Sequence, residues 1–421
     1  MSTQLITINI FSLGIIYLAA LIIWPSRKNI FNILLIPFFI TAIFIPILNI
    51  DYYNFIPIDI LAKYTQINLV GACGVLSGLS IYFLYELHHP AKNINSIPLD
   101  INLHITYLLR KKVILLTFIS LTVLYSCWIY LGPPPLISEN IPDAKFFKGE
   151  YKTKYDDIKI IYRLFFTSLT LLLPIVLLLL FFDEKKYRFI FFILTVLGLI
   201  YFLLTLQRTH LASGLILLAA LYASKSNLKC ILFLTVLLII YILGSNLYYL
   251  LGIKTMPENY SIINGISSGL PDIKDQLKFL YSFEQDYNIF THGKTFIGGL
   301  IPNNYQYNPA VYTLAITNNT TDISNIQSGG FRLPLSIHGY IAFGLLGSFF
   351  VGLFNGLIIK FFINTYRAHS TDDLFKAGML FIWYKYIALF MIQFYHLKYS
   401  SLLLIVILFY LFYRPKKHVQ E

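Results

Sequence analysis

The sequence predicts an all-α protein that crosses a membrane many times, and both its composition and its hydropathy pattern support this fold class. Of its 421 residues, 57% are hydrophobic and only 12% are charged, and the mean hydropathy is +0.68. A soluble chain would carry about 25% charged residues. Apolar runs of about 20 residues, which is the length that crosses a bilayer as a helix, recur along the whole chain. We therefore expect a polytopic helical membrane protein without a soluble cytoplasmic domain.

Eleven apolar runs are predicted to span the membrane. They cover residues 5–24, 30–50, 64–85, 113–131, 160–182, 188–205, 211–224, 230–250, 336–363, 377–395 and 399–413. The first run has no basic start and no small-residue cleavage site, so we expect it to be retained and not removed as a signal peptide. The chain then divides into eight spans within 1–250, a large loop at 251–335, and three spans with the C-terminus in 336–421.

One alternate set of the connections between these spans carries pairs or groups of basic residues close to the span ends. By the positive-inside rule such connections are cytoplasmic. An odd number of spans then places the N-terminus outside and the C-terminus inside. The net charge of +12 is explained in large part by these loops, so it does not indicate nucleic-acid binding. The basic residues of the connections assigned to the cytoplasm, and of the C-terminus, are Arg27 and Lys28; Arg110, Lys111 and Lys112; Lys185, Lys186 and Arg188; Lys225 and Lys229; Arg367 and Lys376; Arg414, Lys416 and Lys417.

The loop at 251–335 is the largest polar segment, and this topology places it outside. After Pro271 its apolar residues recur at helical spacing, at Ile273, Leu277, Leu280 and Phe283. This pattern predicts an amphipathic helix, which we expect to lie on the membrane surface. Because loops of this length are usually functional, any chemistry is expected on the outer face.

The end of this loop runs into the next span through SGGFRLPLSIHGYIAFGLLGSFFVGLFNG, residues 328–356. Arg332 and His338 lie where the chain re-enters the membrane. The span behind them carries a small residue at every fourth position, which predicts the close approach of another helix. That stripe consists of Gly344, Ser348, Gly352 and Gly356.

Several cations lie at or within predicted spans. Arg208 and His210 interrupt an apolar run in TLQRTHLASG. The span that follows has only about 14 residues, which is short for a bilayer. We therefore consider Arg208 and His210 candidates for a pocket that opens outward and lies below the membrane surface. The alternative is an arginine that reaches up to lipid headgroups. Arg163 lies one turn inside its span, where interfacial anchoring is the simpler interpretation. Lys385, near the middle of a span, needs an anion, a carbonyl or a tyrosine as its partner.

Other polar residues give weaker indications. His292 and Lys294 flank a glycine, which fits a surface turn as well as a site. The three cysteines lie in apolar spans, so we expect neither a disulfide framework nor a metal site, and no cofactor. The carboxylates of the outer loops show no metal or glycosidase spacing, and most are expected to be solvated. They are Asp143, Glu150, Asp156, Asp157, Glu258, Asp272, Asp275, Glu284, Asp286 and Asp322.

Two passages resemble the Wzy-type polymerases of O-antigen and oligosaccharide repeat units. LLTLQRTHLASGLILLAAL resembles that family's turn, in which an arginine lies between apolar runs. A second passage is HGKTFIGGLIPNNYQYNPAVY, followed by SGGFRLPLSIHGYIAFGLLGSF. It resembles the part of that family in which a loop with a glycine and an Ile-Pro pair leads into a span with the pattern FGxxG. The layout of about eleven spans with one dominant outer loop is similar too. The sequence departs from the family at Asn303 and Asn308, where many relatives carry cations, and at His338, where many carry an acid.

The resemblance implies a glycosyltransferase of the bacterial cytoplasmic membrane. It would transfer a growing glycan from undecaprenyl pyrophosphate to a lipid-linked repeat unit on the outer face, with a chain-length regulator as a further partner. Arg208 and Arg332 would hold the pyrophosphate, because forked guanidinium donors suit phosphate oxygens. His338 would act at the attacking sugar hydroxyl as a base or a positioning group. The other expected substrate-binding residues are His210, Arg163, Tyr340 and Lys294.

Two other classes of function remain open. The related O-antigen ligases use histidine and arginines on the outer face, so a ligase-like transferase competes with the polymerase. A transporter or flippase of the lipid-linked unit would accommodate Lys385, but such proteins often contain internal repeats, and none is evident here.

Overall fold

The computed structural model describes residues 56–88, 107–182, 185–207, 273–298, 304–320 and 333–368, with a few isolated positions at 14 and between 228 and 252. Within these ranges the chain forms helices and turns and no strands. The predicted spans 5–24, 30–50, 211–224, 377–395 and 399–413 lie outside them, as does most of 230–250. The chain divides into two compact units, which are described separately.

In its described residues, the first of these units, which we call the 107–207 unit, contains four helices. They are α1 (Tyr107–Leu131), α2 (Ile141–Phe146), α3 (Glu150–Phe182) and α4 (Lys185–Leu204). The three long helices pack against one another. Phe147, in the left-handed conformation after α2, stacks on Tyr155 at 3.9 Å between ring centroids. This contact fastens the connecting loop to α3.

The second unit, which we call the hairpin unit, contains five further helices in its described residues. They are α5 (Ile58–His88), α6 (Ile273–Ser282), α7 (Lys294–Ile297), α8 (Pro309–Thr317) and α9 (Leu335–Ala368), with a π-helical turn at Phe283–Tyr287 after α6. A buried apolar cluster joins α5, α6 and α9.

Four segments of the described chain are long and apolar enough to cross a membrane. They are Arg110–Ile137, Ile141–Phe181, Lys186–Leu204 and Leu335–Ile358. Together with the composition, these segments support a helical membrane protein. The predicted spans 64–85, 113–131, 160–182 and 188–205 each coincide with a helix that extends beyond the apolar run at one or both ends.

The predicted span 336–363 overlaps an apolar segment long enough to cross a membrane, but the prediction that it is one continuous helix is wrong. Phe343 and Gly344 leave the helical conformation, and Gly344 has φ 67° and ψ −156°, a region that essentially only glycine occupies. Residues 335–342 form a short limb that folds back against the second limb, residues 345–368. The carbonyl oxygen of Gly347 lies 2.5 Å from where a Gly339 Cβ would be. The chain therefore makes a helical hairpin here.

The small-residue stripe is confirmed as a packing surface, apart from Gly344, which forms the reversal. A Cβ on Gly352 would collide with the carbonyl oxygen of Gly71, and one on Gly356 would collide with that of Val75. The residue numbers on both helices increase together along the contact, so α5 and the second limb of α9 run parallel. The charge alternation predicts this direction, because it places spans 64–85 and 336–363 in the same orientation.

The predicted amphipathic helix is confirmed as α6, but its apolar face packs against protein and not on a lipid surface. Leu277, Leu280 and Phe283 are fully buried in the same cluster as Tyr64 of α5 and Ile337 of α9. Across this contact the Tyr64 hydroxyl donates a 2.6 Å hydrogen bond to Gln276. The large loop is thus folded onto the helices of the hairpin unit.

Candidate functional site

A polar network joins α5, the π-helical turn and the short limb of α9. The Lys63 ammonium forms an ion pair with Oε2 of Glu284. The Tyr340 hydroxyl donates a 2.7 Å hydrogen bond to Oε1 of the same carboxylate. Lys63 also lies 5.6 Å from the centre of the Tyr340 ring. We call these three residues the Lys63–Glu284–Tyr340 network.

The surroundings of Lys63 favour its charged form. The Glu284 side chain is only 10% exposed, whereas that of Lys63, just before the predicted span 64–85, is 36% exposed. Burial alone would lower the pKa of Lys63, but its hydrogen bonds and charge interactions with Glu284 and Tyr340 together outweigh burial and raise that pKa above its usual value. Both carboxylate oxygens of Glu284 are engaged, so its geometry suits a residue that fastens the loop more than a free base.

The local sequence explains why these groups meet. The apolar face of α6 packs into the buried cluster, and the π-helical turn continues from it so that Phe283 stays inside while Glu284 is partly buried beside it. Single π-helical turns are frequent at functional sites. The Tyr340 ring lies edge-on to Phe283, at 6.2 Å between centroids. Apolar packing thus brings the carboxylate to the tyrosine and the lysine.

The loop also caps the end of the short limb. The Thr291 amide donates to the carbonyl oxygen of Ile341 at 2.8 Å, and the His292 amide donates to that of Ala342 at 3.2 Å. These carbonyls lose their helical partners because the helix breaks at 343–344. The loop residues therefore satisfy the backbone groups that the hairpin exposes.

His338 lies inside this hairpin and not on an open surface. It is 1% exposed, and its ring is 6.5 Å from that of Phe296 in α7. Its predicted action on a sugar hydroxyl stays a prediction.

Lys294 and His292 lie on the exposed side of the same loop. The Lys294 ammonium donates to the Tyr307 hydroxyl at 3.5 Å and lies 5.0 Å from the centre of that ring. His292 adopts a left-handed conformation, with φ 49°, beside the ring of Phe343. Both flank the hairpin reversal in a surface turn.

Arg163 belongs to the 107–207 unit. It is exposed on α3, and its Nε donates a 3.1 Å hydrogen bond to the Tyr155 hydroxyl. This contact, within the group of aromatic rings around Phe147, fits the interfacial anchoring considered from the sequence. Arg208, His210, Arg332 and Lys385 lie outside the described residues, and their predicted roles stay predictions.

The structure brings Tyr340, His338 and Lys294 into one unit and adds two residues whose roles the sequence did not indicate. Lys63 is the last residue before the predicted span 64–85 and has no role predicted from the sequence. Glu284 is one of the outer-loop carboxylates, most of which are expected to be solvated, and its own side chain is only 10% exposed. The two are 221 positions apart, so no periodicity links them. Among the described residues, no three His, Cys, Asp or Glu side chains are grouped as metal ligands.

No known family profile, curated protein or solved structure matches this chain.

Proposed function

We propose that this protein is a membrane glycosyltransferase that polymerises lipid-linked oligosaccharide repeat units. It transfers a glycan chain from undecaprenyl pyrophosphate to a sugar hydroxyl of the next repeat unit, on the outer face of a bacterial cytoplasmic membrane. The observation that carries the proposal is that the polar loop is built into the helical bundle. The Lys63–Glu284–Tyr340 network and the Thr291 cap hold it against the short limb that carries His338.

The proposed reaction needs few protein groups. The acceptor hydroxyl attacks the anomeric carbon, the bond from that carbon to the pyrophosphate oxygen breaks, and the pyrophosphate leaves with the electron pair. Arg208 and Arg332 stabilise the charge that grows on the pyrophosphate, which is usually the largest contribution to catalysis. His338 takes the proton of the hydroxyl or orients it.

The remaining residues hold the substrate. Lys294 offers an exposed cation beside the hairpin, and Tyr340 is placed by its bond to Glu284. His210 and Arg163 complete the set that the resemblance implies. Glu284 acts through Tyr340 and the loop, and it is a positioning residue in this proposal.

Chain extension by the purified protein tests this function. The full chain in lipid vesicles is given undecaprenyl-pyrophosphate-linked repeat units, and the products are separated on a gel. A ladder of lengthening chains is expected. Movement of the lipid-linked unit across the vesicle membrane without any lengthening would contradict the proposal and favour the transporter.

A further inference from the structure

Three tyrosines from different segments of the large loop lie together in the hairpin unit. Tyr287 ends the π-helical turn, Tyr307 lies in the turn before α8, and Tyr312 lies in α8 itself. The Tyr307 and Tyr312 rings are inclined by 27°, with 6.5 Å between their centroids. The Tyr287 hydroxyl donates a 3.1 Å hydrogen bond to the side-chain oxygen of Asn319, just after α8. We call the three tyrosines the tyrosine cluster.

The core holds the rings of this cluster in place, although all three tyrosines are partly exposed. Tyr287 and Tyr312 each pack against the buried apolar cluster, and the Tyr312 ring lies 6.4 Å from that of Phe279. Burial raises the pKa of Tyr312, and the neighbouring phenols of Tyr307 and Tyr287 raise it further. The Tyr312 hydroxyl is therefore close to the other two hydroxyls and stays protonated.

The hydrogen bonds within the cluster leave a donor and an acceptor for a ligand. The Tyr287 hydroxyl gives its proton to Asn319, so its oxygen can accept another hydrogen bond. The Tyr307 hydroxyl accepts from the Lys294 ammonium at 3.5 Å, so its own proton can be donated. A phosphate or a carboxylate only accepts hydrogen bonds and does not match the Tyr287 oxygen. A ligand hydroxyl donates and accepts, and it matches both tyrosines.

The shape of a tyrosine side chain also suits a sugar. Its ring is apolar and its tip is polar, and a sugar ring likewise has an apolar face of C–H groups and an edge of hydroxyl groups. We propose that the tyrosine cluster binds a sugar ring of the lipid-linked glycan. The identity of this ligand rests on the proposed function, because the large loop is expected on the face where that glycan lies. The cluster orients the glycan and takes no part in the chemistry at the pyrophosphate.

Binding of free glycan by the purified full chain tests this proposal without any catalysis. The probe is the oligosaccharide that mild acid releases from the undecaprenyl-pyrophosphate-linked units of the producing cells, and its affinity is measured by isothermal titration calorimetry. A hydrogen bond between neutral groups contributes about fivefold in affinity. Tyr287→Phe and Tyr312→Phe, which keep the rings, should each weaken binding about fivefold, and the double variant about 25-fold.

The chain offers a matched control in the same loop. Tyr281 is an exposed tyrosine of α6, and Tyr281→Phe should leave the affinity for the oligosaccharide unchanged. The proposal would be overturned by equal weakening in this control, by wild-type affinity in the double variant, or by no binding to the wild type. Displacement of the oligosaccharide by an equal concentration of inorganic pyrophosphate would show an anion site and would overturn it too.

Chain extension separates this proposal from the proposed function. If the wild type binds the oligosaccharide more tightly than the double variant but neither extends chains, the sugar site stands and the polymerase does not. If the wild type extends chains, the double variant should have a higher KM for the single repeat unit when the bound sugar belongs to the acceptor, or for the lengthened chain when it belongs to the donor. Extension with both KM values unchanged would overturn the sugar site and leave the polymerase in place.

Discussion

The Ser348 hydroxyl donates a 2.8 Å hydrogen bond to the carbonyl oxygen of Ser336, although 12 positions separate the two residues within one helical segment. In a continuous helix they would lie about 18 Å apart along the axis. The reversal at Phe343 and Gly344 brings them side by side. The Ser336 hydroxyl in turn donates a 2.5 Å hydrogen bond to Asn68 of α5, so both limbs of the hairpin are tied to the same neighbouring helix.

The hairpin predicts a specific cross-link. Ser336→Cys with Ser348→Cys, in a background without the native cysteines, should form an intramolecular disulfide under mild oxidation. Disulfides need Cα atoms within about 7 Å of each other, a distance that a straight helix with this spacing cannot provide. The cross-link is read as a change in gel mobility that a reducing agent reverses.

Leu346 and Ile358 are a control pair with the same spacing of 12 positions, both within the second limb of α9. Leu346→Cys with Ile358→Cys should give no intramolecular disulfide. Cross-linking of both pairs, or of neither, would count against a reversal between the limbs.

The contact between α5 and α9 depends on glycine. Gly352→Ala places a methyl group against the carbonyl oxygen of Gly71, so the two helices must separate. Such overpacking costs about 1–3 kcal/mol, and we expect a lower midpoint of thermal unfolding in detergent. Gly14→Ala is the control, because a Cβ there has open space, and it should leave the midpoint unchanged or slightly raised. An unchanged midpoint for Gly352→Ala would mean that the helices do not touch at this position.

The ion pair of Lys63 and Glu284 should contribute to both stability and activity. We expect Glu284→Gln and Lys63→Gln each to cost about 1 kcal/mol of unfolding free energy, because Lys63 is partly solvated and the pair is screened. A double-mutant cycle should give a smaller loss for the pair than for the two changes added together. Asp156→Asn with Lys159→Gln, at an exposed pair, serves as the control and should cost almost nothing.

Activity distinguishes a positioning role for Glu284 from a purely structural one. If Glu284 holds Tyr340 for the substrate, Glu284→Gln raises the KM for the acceptor more than it lowers kcat, when both are measured per folded molecule. An exchange of charges, Lys63→Glu with Glu284→Lys, should recover stability more than KM, because Tyr340 then faces an ammonium. If the stability losses of Glu284→Gln and Lys63→Gln were additive and the KM were unchanged, the network would have no part in substrate binding.

The helices of this protein could be predicted from the sequence far better than their ends. Long apolar runs identify the helices at 113–131 and 160–182, because a chain that crosses lipid can satisfy its backbone hydrogen bonds within itself only as a helix. The helices begin earlier, at Tyr107 and Glu150, because polar residues can continue a helix into water without any hydropathy signal. The amphipathic period of α6 likewise predicted the helix, but a period does not say what the apolar face contacts.

The hairpin and the network could not be predicted from the sequence. Gly344 continues a regular small-residue stripe, and only its backbone angles show that it forms a reversal. The meeting of Lys63 with Glu284 depends on tertiary packing between distant segments. Tyr340 was expected in the site only from the resemblance, and the structure gives it a partner that the sequence did not indicate.

Substitutions of His338 distinguish a chemical role from a structural one only if folding is measured together with activity. Because the ring is buried, His338→Ala leaves a cavity and should lower the unfolding midpoint. Loss of a general base would also reduce chain extension per folded molecule by about 10²–10⁴-fold. His338→Gln keeps hydrogen bonding but cannot take up a proton. Near-normal extension by His338→Gln would exclude the base, and near-normal extension by folded His338→Ala would remove His338 from the site.

The surface glycan of a strain that lacks this protein, separated on a gel, tests the proposed function most directly. We expect the ladder of chain lengths to collapse to one repeat unit and the wild-type gene to restore it. Genes that carry Arg208→Ala or Arg332→Ala should not restore it at equal protein levels. Arg208→Lys and Arg332→Lys should restore short chains only, because lysine keeps the charge but loses the paired donors. A complete ladder in the deletion strain, or the loss of every repeat unit including the first, would contradict a polymerase.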